Sequence, residues 1–272
     1  MKKITSIGRI FFAIGMIGFC ILILIDGDFV VARSMNPPPM FPGKMIISYF
    51  SGVVFLLTGL LIIIRKWSAI PALCCAIIIF IWGLSRNVPE AFSDQLLGGL
   101  WTNTFKAFAI GGGALILVAS YAIEDRSPGN FFLPEGWTGN LITVGQFLIA
   151  MFLLLCGIQH FKFIDFVANF IPAYIPGHYF WAGFTGVALI LAGIGLMIRG
   201  TAFSASLAAG IMLFLWVILL HIPMSVMDPG NIRSWTGVCE ALTISGVLLI
   251  LAGAMKNKSA YGLNKQGLLS NR

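Results

Sequence analysis

Eight stretches of nearly unbroken apolar sequence, at about 7–25, 44–64, 68–86, 103–122, 140–160, 178–198, 202–222 and 236–255, constrain this chain more than any other feature. Each is close to the roughly 20 residues that a helix needs to cross about 30 Å of hydrocarbon. A transmembrane barrel would instead show alternating strands of about ten residues. Only 10% of the 272 residues are charged and the mean hydropathy is +0.95, whereas soluble domains carry about 25% charged residues. The expected fold class is therefore all-α: a polytopic membrane protein with eight transmembrane helices and the lipid bilayer as its principal partner.

The eight spans resolve into two sets of four. From Pro42 onward, residue i matches residue i+134. Phe50, Gly52 and Gly59 match Phe184, Gly186 and Gly193, and Trp82 matches Trp216. Pro89 matches Pro223, and Trp101-Thr102 matches Trp235-Thr236. Upstream the offset is 137, with Asp28-Phe29-Val30 matching Asp165-Phe166-Val167, so the first unit carries three extra residues near Ala32 to Pro39. Matches of Trp, Pro, Asp and Gly are not what apolar composition alone produces. The expected organisation is a first four-helix repeat over 1–122, a cytoplasmic linker over 123–139, a second repeat over 140–256 and a polar tail over 257–272. An even number of spans per unit makes the two repeats parallel.

The net charge of +7 reads as the cationic excess that holds loops in the cytoplasm. With the N-terminus inside, Lys2, Lys3, Arg9, Arg65, Lys66, Arg126, Arg199, Lys256, Lys258, Lys265 and Arg272 lie on the inner side, eleven in all. Arg33, Lys44, Arg86, Lys106, Lys162 and Arg233 lie outside, six in all. Both termini are then cytoplasmic, in a bacterial inner membrane. Nucleic acid is not an expected partner, because no basic cluster alternates with exposed aromatics. Met1-Lys2-Lys3 before an apolar run resembles a cleavable leader. The same segment recurs near 145–167, which favours a retained first helix. The outer connections carry the Pro-rich segments Asn36-Pro37-Pro38-Pro39 and Ile171 to Gly177. Trp101, Trp137 and Trp235 fall where an interfacial aromatic belt would lie.

The second unit carries the more specific pattern: Cys156-Gly157-Ile158-Gln159-His160-Phe161, Asp165-Phe166-Val167, Ile171 to His178, Phe180-Trp181, Phe184 to Ala188, Phe214-Leu215-Trp216 and His221-Ile222-Pro223. These segments resemble the DoxX-like membrane protein family, tightly in the second unit and loosely in the first. The resemblance implies a four-helix membrane unit. Founding members are linked to membrane subunits of a thiosulfate:quinone oxidoreductase. A redox-linked or quinone-associated role is therefore implied, with a quinone as cofactor and a membrane or periplasmic redox partner. It assigns no catalytic residue and leaves open whether the chain is an enzyme. A non-catalytic scaffold, assembly factor or accessory subunit is the alternative. A small-solute transporter has less support, because no span is broken at its centre by paired Gly or Pro.

Ionisable groups at membrane depth are the default site candidates. Lys106 and Glu240 occupy equivalent positions in spans four and eight, so the repeat predicts an ion pair between the units. The competing reading has each snorkelling separately to the interface. All three histidines, His160, His178 and His221, lie in the second unit; their first-unit positions hold Ile23, Lys44 and Asn87. With Arg86 they complete a candidate outer pocket: His160, His221, Glu240, Lys106, Arg86 and His178. Imidazole and carboxylate suit a metal, a quinone carbonyl or a proton relay, and equally suit structural hydrogen bonds. No HxxxH or HExxH spacing occurs, so no metal ligand is assigned. Arg86 and Glu90 are spaced to pair on one helical face, although Pro89 between them makes a helix end an equal reading. Asp28 and Asp165 are expected to cap short turns. Gly111-Gly112-Gly113 lies mid-span without a P-loop context and is expected to permit close helix packing.

Overall fold

The computed structural model describes residues 2–33, 42–64, 69–124, 133 and 137–269, the side chains of Lys2, Glu124 and 256–269 excepted. The triple-proline segment, Arg65, Lys66, Arg126 and most of the linker lie outside the described residues. Every described element is helical. In chain order they are α1 (Lys2–Asp26), α2 (Lys44–Ile63), α3 (Ala69–Trp82), a π-helical turn (Gly83–Asn87) and α4 (Val88–Phe92). Next come α5 (Gly99–Glu124), α6 (Trp137–Lys162), α7 (Ile164–Phe170), α8 (His178–Met197) and α9 (Ala202–Trp216). A second π-helical turn (Val217–His221), α10 (Ile222–Met227) and α11 (Ile232–Leu269) complete the chain. Among the described residues, eight helical runs are long and apolar enough to cross a membrane, with each π turn lying inside one continuous run. Their outer faces expose Ile46, Phe50, Leu57, Ile81, Phe147, Leu191 and Ile211. Apolar patches on that scale belong in lipid, so the chain is a multi-pass membrane protein.

α5 and α11 pack on each other at the centre and are the most buried spans. α1 packs along α11 and α2, while α6 packs along α5 and α8; α3 lies on α5 and α9 on α11. The first helix of each half thus docks on the last helix of the other. Both contacts are backbone-close. A Cβ on Gly246 would lie 2.6 Å from the Gly8 carbonyl oxygen, and one on Gly112 would lie 3.1 Å from the Gly145 Cα. Where lipid is as apolar as the side chains, such close approach and buried polar contacts hold helices together. Ser206 donates to the Leu248 carbonyl at 2.6 Å and Ser245 to the Gly210 carbonyl at 2.7 Å, tying α9 to α11.

The connections after the third and seventh spans differ from expectation. The sequence suggests loops from about Asn87 and from Pro223; the helices instead run on to Phe92 and Met227. Pro89 and Pro223 are each the second residue of the short helix that follows a π turn. The reason is local. Proline has no N–H for the ladder and its ring crowds the carbonyl four residues back. In the π turn the Val88 N–H bonds Gly83 O and the Ile222 N–H bonds Val217 O, five residues back. That wider turn absorbs the proline without ending the helix.

Asp165 does not cap a turn. It lies inside α7, whose N-cap is Phe163, and its carboxylate accepts the Tyr179 hydroxyl at 3.0 Å. Asp28 accepts the Phe29 N–H at 2.7 Å and pairs with Lys44 at 2.9 Å. The backbone of α11 continues as helix to Leu269, beyond the expected start of the tail.

Candidate functional site

Lys106 and Glu240 meet at the centre of the molecule. The Lys106 ammonium donates to Glu240 Oε2 at 2.7 Å across the α5–α11 contact. Glu240 is 5% exposed, and burying both charges is tolerable because each has its partner. The repeat register had pointed to this pair, and the snorkelling alternative does not describe it. The second carboxylate oxygen, Oε1, accepts the Ala32 backbone N–H at 2.7 Å.

That bond belongs to a feature the sequence reading did not identify. Phe29, Val30, Val31 and Ala32, in the connection between α1 and α2, are all buried in the core. A buried connection must satisfy its backbone, and Arg86 and Asn87 in the first π turn do so. Arg86 Nη1 donates to Phe29 O and Nη2 to Val31 O, both at 2.7 Å, and Asn87 Nδ2 donates to Ala32 O at 2.6 Å. The Phe29 ring stacks on Trp82 with centroids 4.7 Å apart and planes 8° from parallel. Trp82 is held by a 3.1 Å bond to Ser51 Oγ. Ala32 takes φ of 51°, a left-handed conformation that costs a non-glycine residue free energy. The four hydrogen bonds around it keep it there. The sequence signal was an unbroken apolar run, Phe29 to Ala32, outside any span.

Beside the central pair lies a cavity of about 720 Å³, lined by Lys106, Glu240, His160 and His221 together and bordered by Val30 and Arg33. His160 comes from the end of α6, and His221 closes the second π turn. His160 Nδ1 lies 2.8 Å from the Cys156 carbonyl. A carbonyl only accepts, so this nitrogen carries the proton and Nε2 of the neutral ring is left as an acceptor. His221 faces the edge of Phe170, with centroids 6.3 Å apart. Trp181 and Trp216 form an edge-to-face wall at 6.2 Å and 81°. Leu189, Leu213 and Leu220 continue the apolar lining, while Thr185, Thr236 and Asn103 add hydroxyl and amide groups. Aromatic and aliphatic walls with a few convergent polar groups are typical of sites for small molecules, which occupy about 300–1,000 Å³. All the lining helices contribute the ends remote from the N-terminus of α1 and the C-terminal end of α11.

Four of the six expected pocket residues therefore converge. The other two do not. Arg86 is consumed by the Phe29–Ala32 segment, and its guanidinium goes to carbonyls, not to Glu90. The turn at Val31–Ala32 and the residues before it bring two carbonyl acceptors within reach of the guanidinium fork. Glu90 Oε2 is buried with no hydrogen-bond partner. His178 is the first residue of α8 and does not line the cavity. It stands at the helix start, one turn before Trp181 and Ala182, the first residues of α8 on the lining. Among the described residues, no group of three His, Cys, Asp or Glu side chains is placed to hold a metal ion. Of the structural pairs, Trp216 lines the cavity whereas Trp82 is covered by Phe29. Trp101 packs edge-on against Phe92, and Trp235 donates to the Pro229 carbonyl at 3.0 Å. Compared with protein-family models, curated proteins and solved structures, the chain shows no significant match.

Proposed function

We propose that this protein binds a small amphipathic molecule from the membrane in the cavity between its two halves, in a redox-linked, quinone-associated role of the DoxX-like kind. One observation carries the reading: Lys106, Glu240, His160 and His221 line one chamber whose other walls are mostly aromatic and aliphatic, with Arg33, Asp94 and Arg233 also on its lining. Such a chamber suits a ligand with an apolar ring or chain and a polar head. Lys106 supplies donors to that head, and Glu240 and His160 Nε2 supply acceptors. A quinone fits this lining, and when bound it contributes the electron- and proton-carrying chemistry. The side chains of this chain hold and orient the head and shield it from water.

The proposal includes an architecture and an orientation. Two tandem units are supported by element bounds that coincide at the 134-residue offset. Lys44–Ile63 corresponds to His178–Met197, and Gly83–Asn87 to Val217–His221. The excess of Lys and Arg supports cytoplasmic termini, which places the cavity at the outer face of an inner membrane. Titration of the detergent-solubilised full-length chain with a short-chain ubiquinone tests the reading through its tryptophans, since Trp181 and Trp216 line the cavity. Saturable quenching is expected, and Thr185→Trp, which puts a bulky ring into the chamber, should weaken it. Quenching that is linear in wild type, or identical in Thr185→Trp, counts against the reading.

A further inference from the structure

We infer that the wall formed by Trp216, His221 and Lys106 is a subsite for a flat ring carrying a hydrogen-bond-accepting oxygen. The inference rests on the cavity being a ligand site and on the 134-residue register; it goes further by specifying the chemistry of the ligand. The first unit fills the equivalent space with its own backbone. There, Phe29 lies on Trp82 and touches Phe55, and the carbonyls of Phe29, Val31 and Ala32 take donors from Arg86 and Asn87. Glu240 of the other unit closes the arrangement on Ala32 N–H.

Adding 134 to each of these positions gives the cavity wall. Trp82 becomes Trp216, Phe55 becomes Leu189, Arg86 becomes Leu220 and Asn87 becomes His221; Lys106 takes the place of Glu240. All five line the cavity. The corresponding segment borders the cavity without filling it, with Phe166 and Val167 among the lining residues. Phe29 is 1% exposed, but its counterpart Phe166 is 64% exposed on α7. From Val30 to Pro42 the first unit spans 12 positions, against 9 from Val167 to Pro176. The shorter connection forms helix α7 along the cavity's edge, with Ala168 and Ile171 buried, and the second unit keeps the space that the first unit fills with a ring and its neighbouring carbonyls.

The substitutions alter polarity in one direction. Asn87 donates an N–H to a carbonyl, and His221 at its position has a ring N–H to donate. Glu240 accepts an N–H, but Lys106 at its counterpart can only donate. The occupant of the second space therefore lies flat on Trp216 as Phe29 lies on Trp82, and presents an oxygen that accepts from His221 and Lys106. Leu220 in place of Arg86 removes the second pair of donors, so one such oxygen satisfies the wall.

The test uses two probes of one shape, 2-acetylnaphthalene and 2-ethylnaphthalene, which differ in a carbonyl oxygen. Equilibrium dialysis against the detergent-solubilised full-length chain, with empty micelles as blank, measures both. Wild type should hold the ketone about tenfold more tightly than the hydrocarbon, the worth of one good hydrogen bond. His221→Leu should cut that preference by at least about threefold, since only Lys106 then donates, while leaving the hydrocarbon unchanged. His221→Asn, which installs the first unit's residue, should keep the ketone within about threefold of wild type. Equal binding of the two probes by wild type overturns the subsite, as does equal loss of the ketone in the Leu and Asn variants. Because the wild-type comparison needs no variant, a misfolded His221→Leu does not remove the test. Retention of both rings without preference leaves the cavity reading standing, whereas retention of neither overturns both.

Discussion

Removing the charge from Lys106 with Met should destabilise the protein more than removing both charges of the central pair. Lys106 and Glu240 are bonded at 2.7 Å, and the Glu240 side chain is 7% exposed. Lys106→Met leaves a buried carboxylate with a single remaining donor, the Ala32 N–H. Breaking a buried pair from one side costs about 3–5 kcal/mol. Glu240→Gln retains an oxygen for Ala32 N–H but leaves the ammonium unpaired, at a similar cost. The double variant Lys106→Met, Glu240→Gln keeps the Ala32 bond and buries no charge. Its cost should be smaller than that of Lys106→Met alone, so the single costs should exceed it in sum by at least about 3 kcal/mol, the upper end of the coupling seen between contacting residues. A charge swap, Lys106→Glu with Glu240→Lys, restores the pair but points an ammonium at Ala32 N–H. It should therefore recover only part of the loss, because a buried N–H without an acceptor costs about 1–3 kcal/mol. Equilibrium unfolding of the four variants in mixed micelles, followed by tryptophan fluorescence, supplies the cycle. Additive single costs, or a charge swap as stable as wild type, would refute the reasoning.

Other outcomes follow from the same contacts. Arg86→Met should lower stability by about 2–5 kcal/mol, since it strands the buried carbonyls of Phe29 and Val31. Arg86→Lys should rescue little, because an ammonium lacks the fork that spans both acceptors; thermal unfolding in detergent checks both. Gly246→Val should cost about 1–3 kcal/mol by wedging α11 off Gly8, whereas Gly183→Ala, with open space around its Cα, should be near neutral. Reporter fusions should place the C-terminus in the cytoplasm and the connection around Gln95 outside; the reverse would put the cavity on the inner face.

Hydropathy and internal register made much of this molecule legible before any coordinates. The eight spans follow from backbone satisfaction in lipid, which leaves little alternative to long apolar helices. Lys106 and Glu240 were legible as a pair because they carry opposite charges at matching positions of two spans, 134 residues apart. The histidines converged because His160 and His221 sit at helix ends that the span count brings to one side. Arg86 was misread for a physical reason. Its partners are backbone carbonyls, which have no signature in sequence. The burial of Phe29–Ala32 was visible as apolar residues between spans, but which space they fill depends on tertiary packing. The π turns were also hidden, because proline near a span end reads equally as a stop or as a bulge.

The most direct measurement is native mass spectrometry of the full-length protein released from its own membrane, comparing wild type with Thr185→Trp. Wild type is expected to carry one small lipophilic molecule that survives detergent removal, and the variant with a bulky ring in its chamber is expected to carry markedly less of it while unfolding at a similar temperature. The same retained molecules in both proteins would contradict a binding site in the cavity beside Lys106 and Glu240.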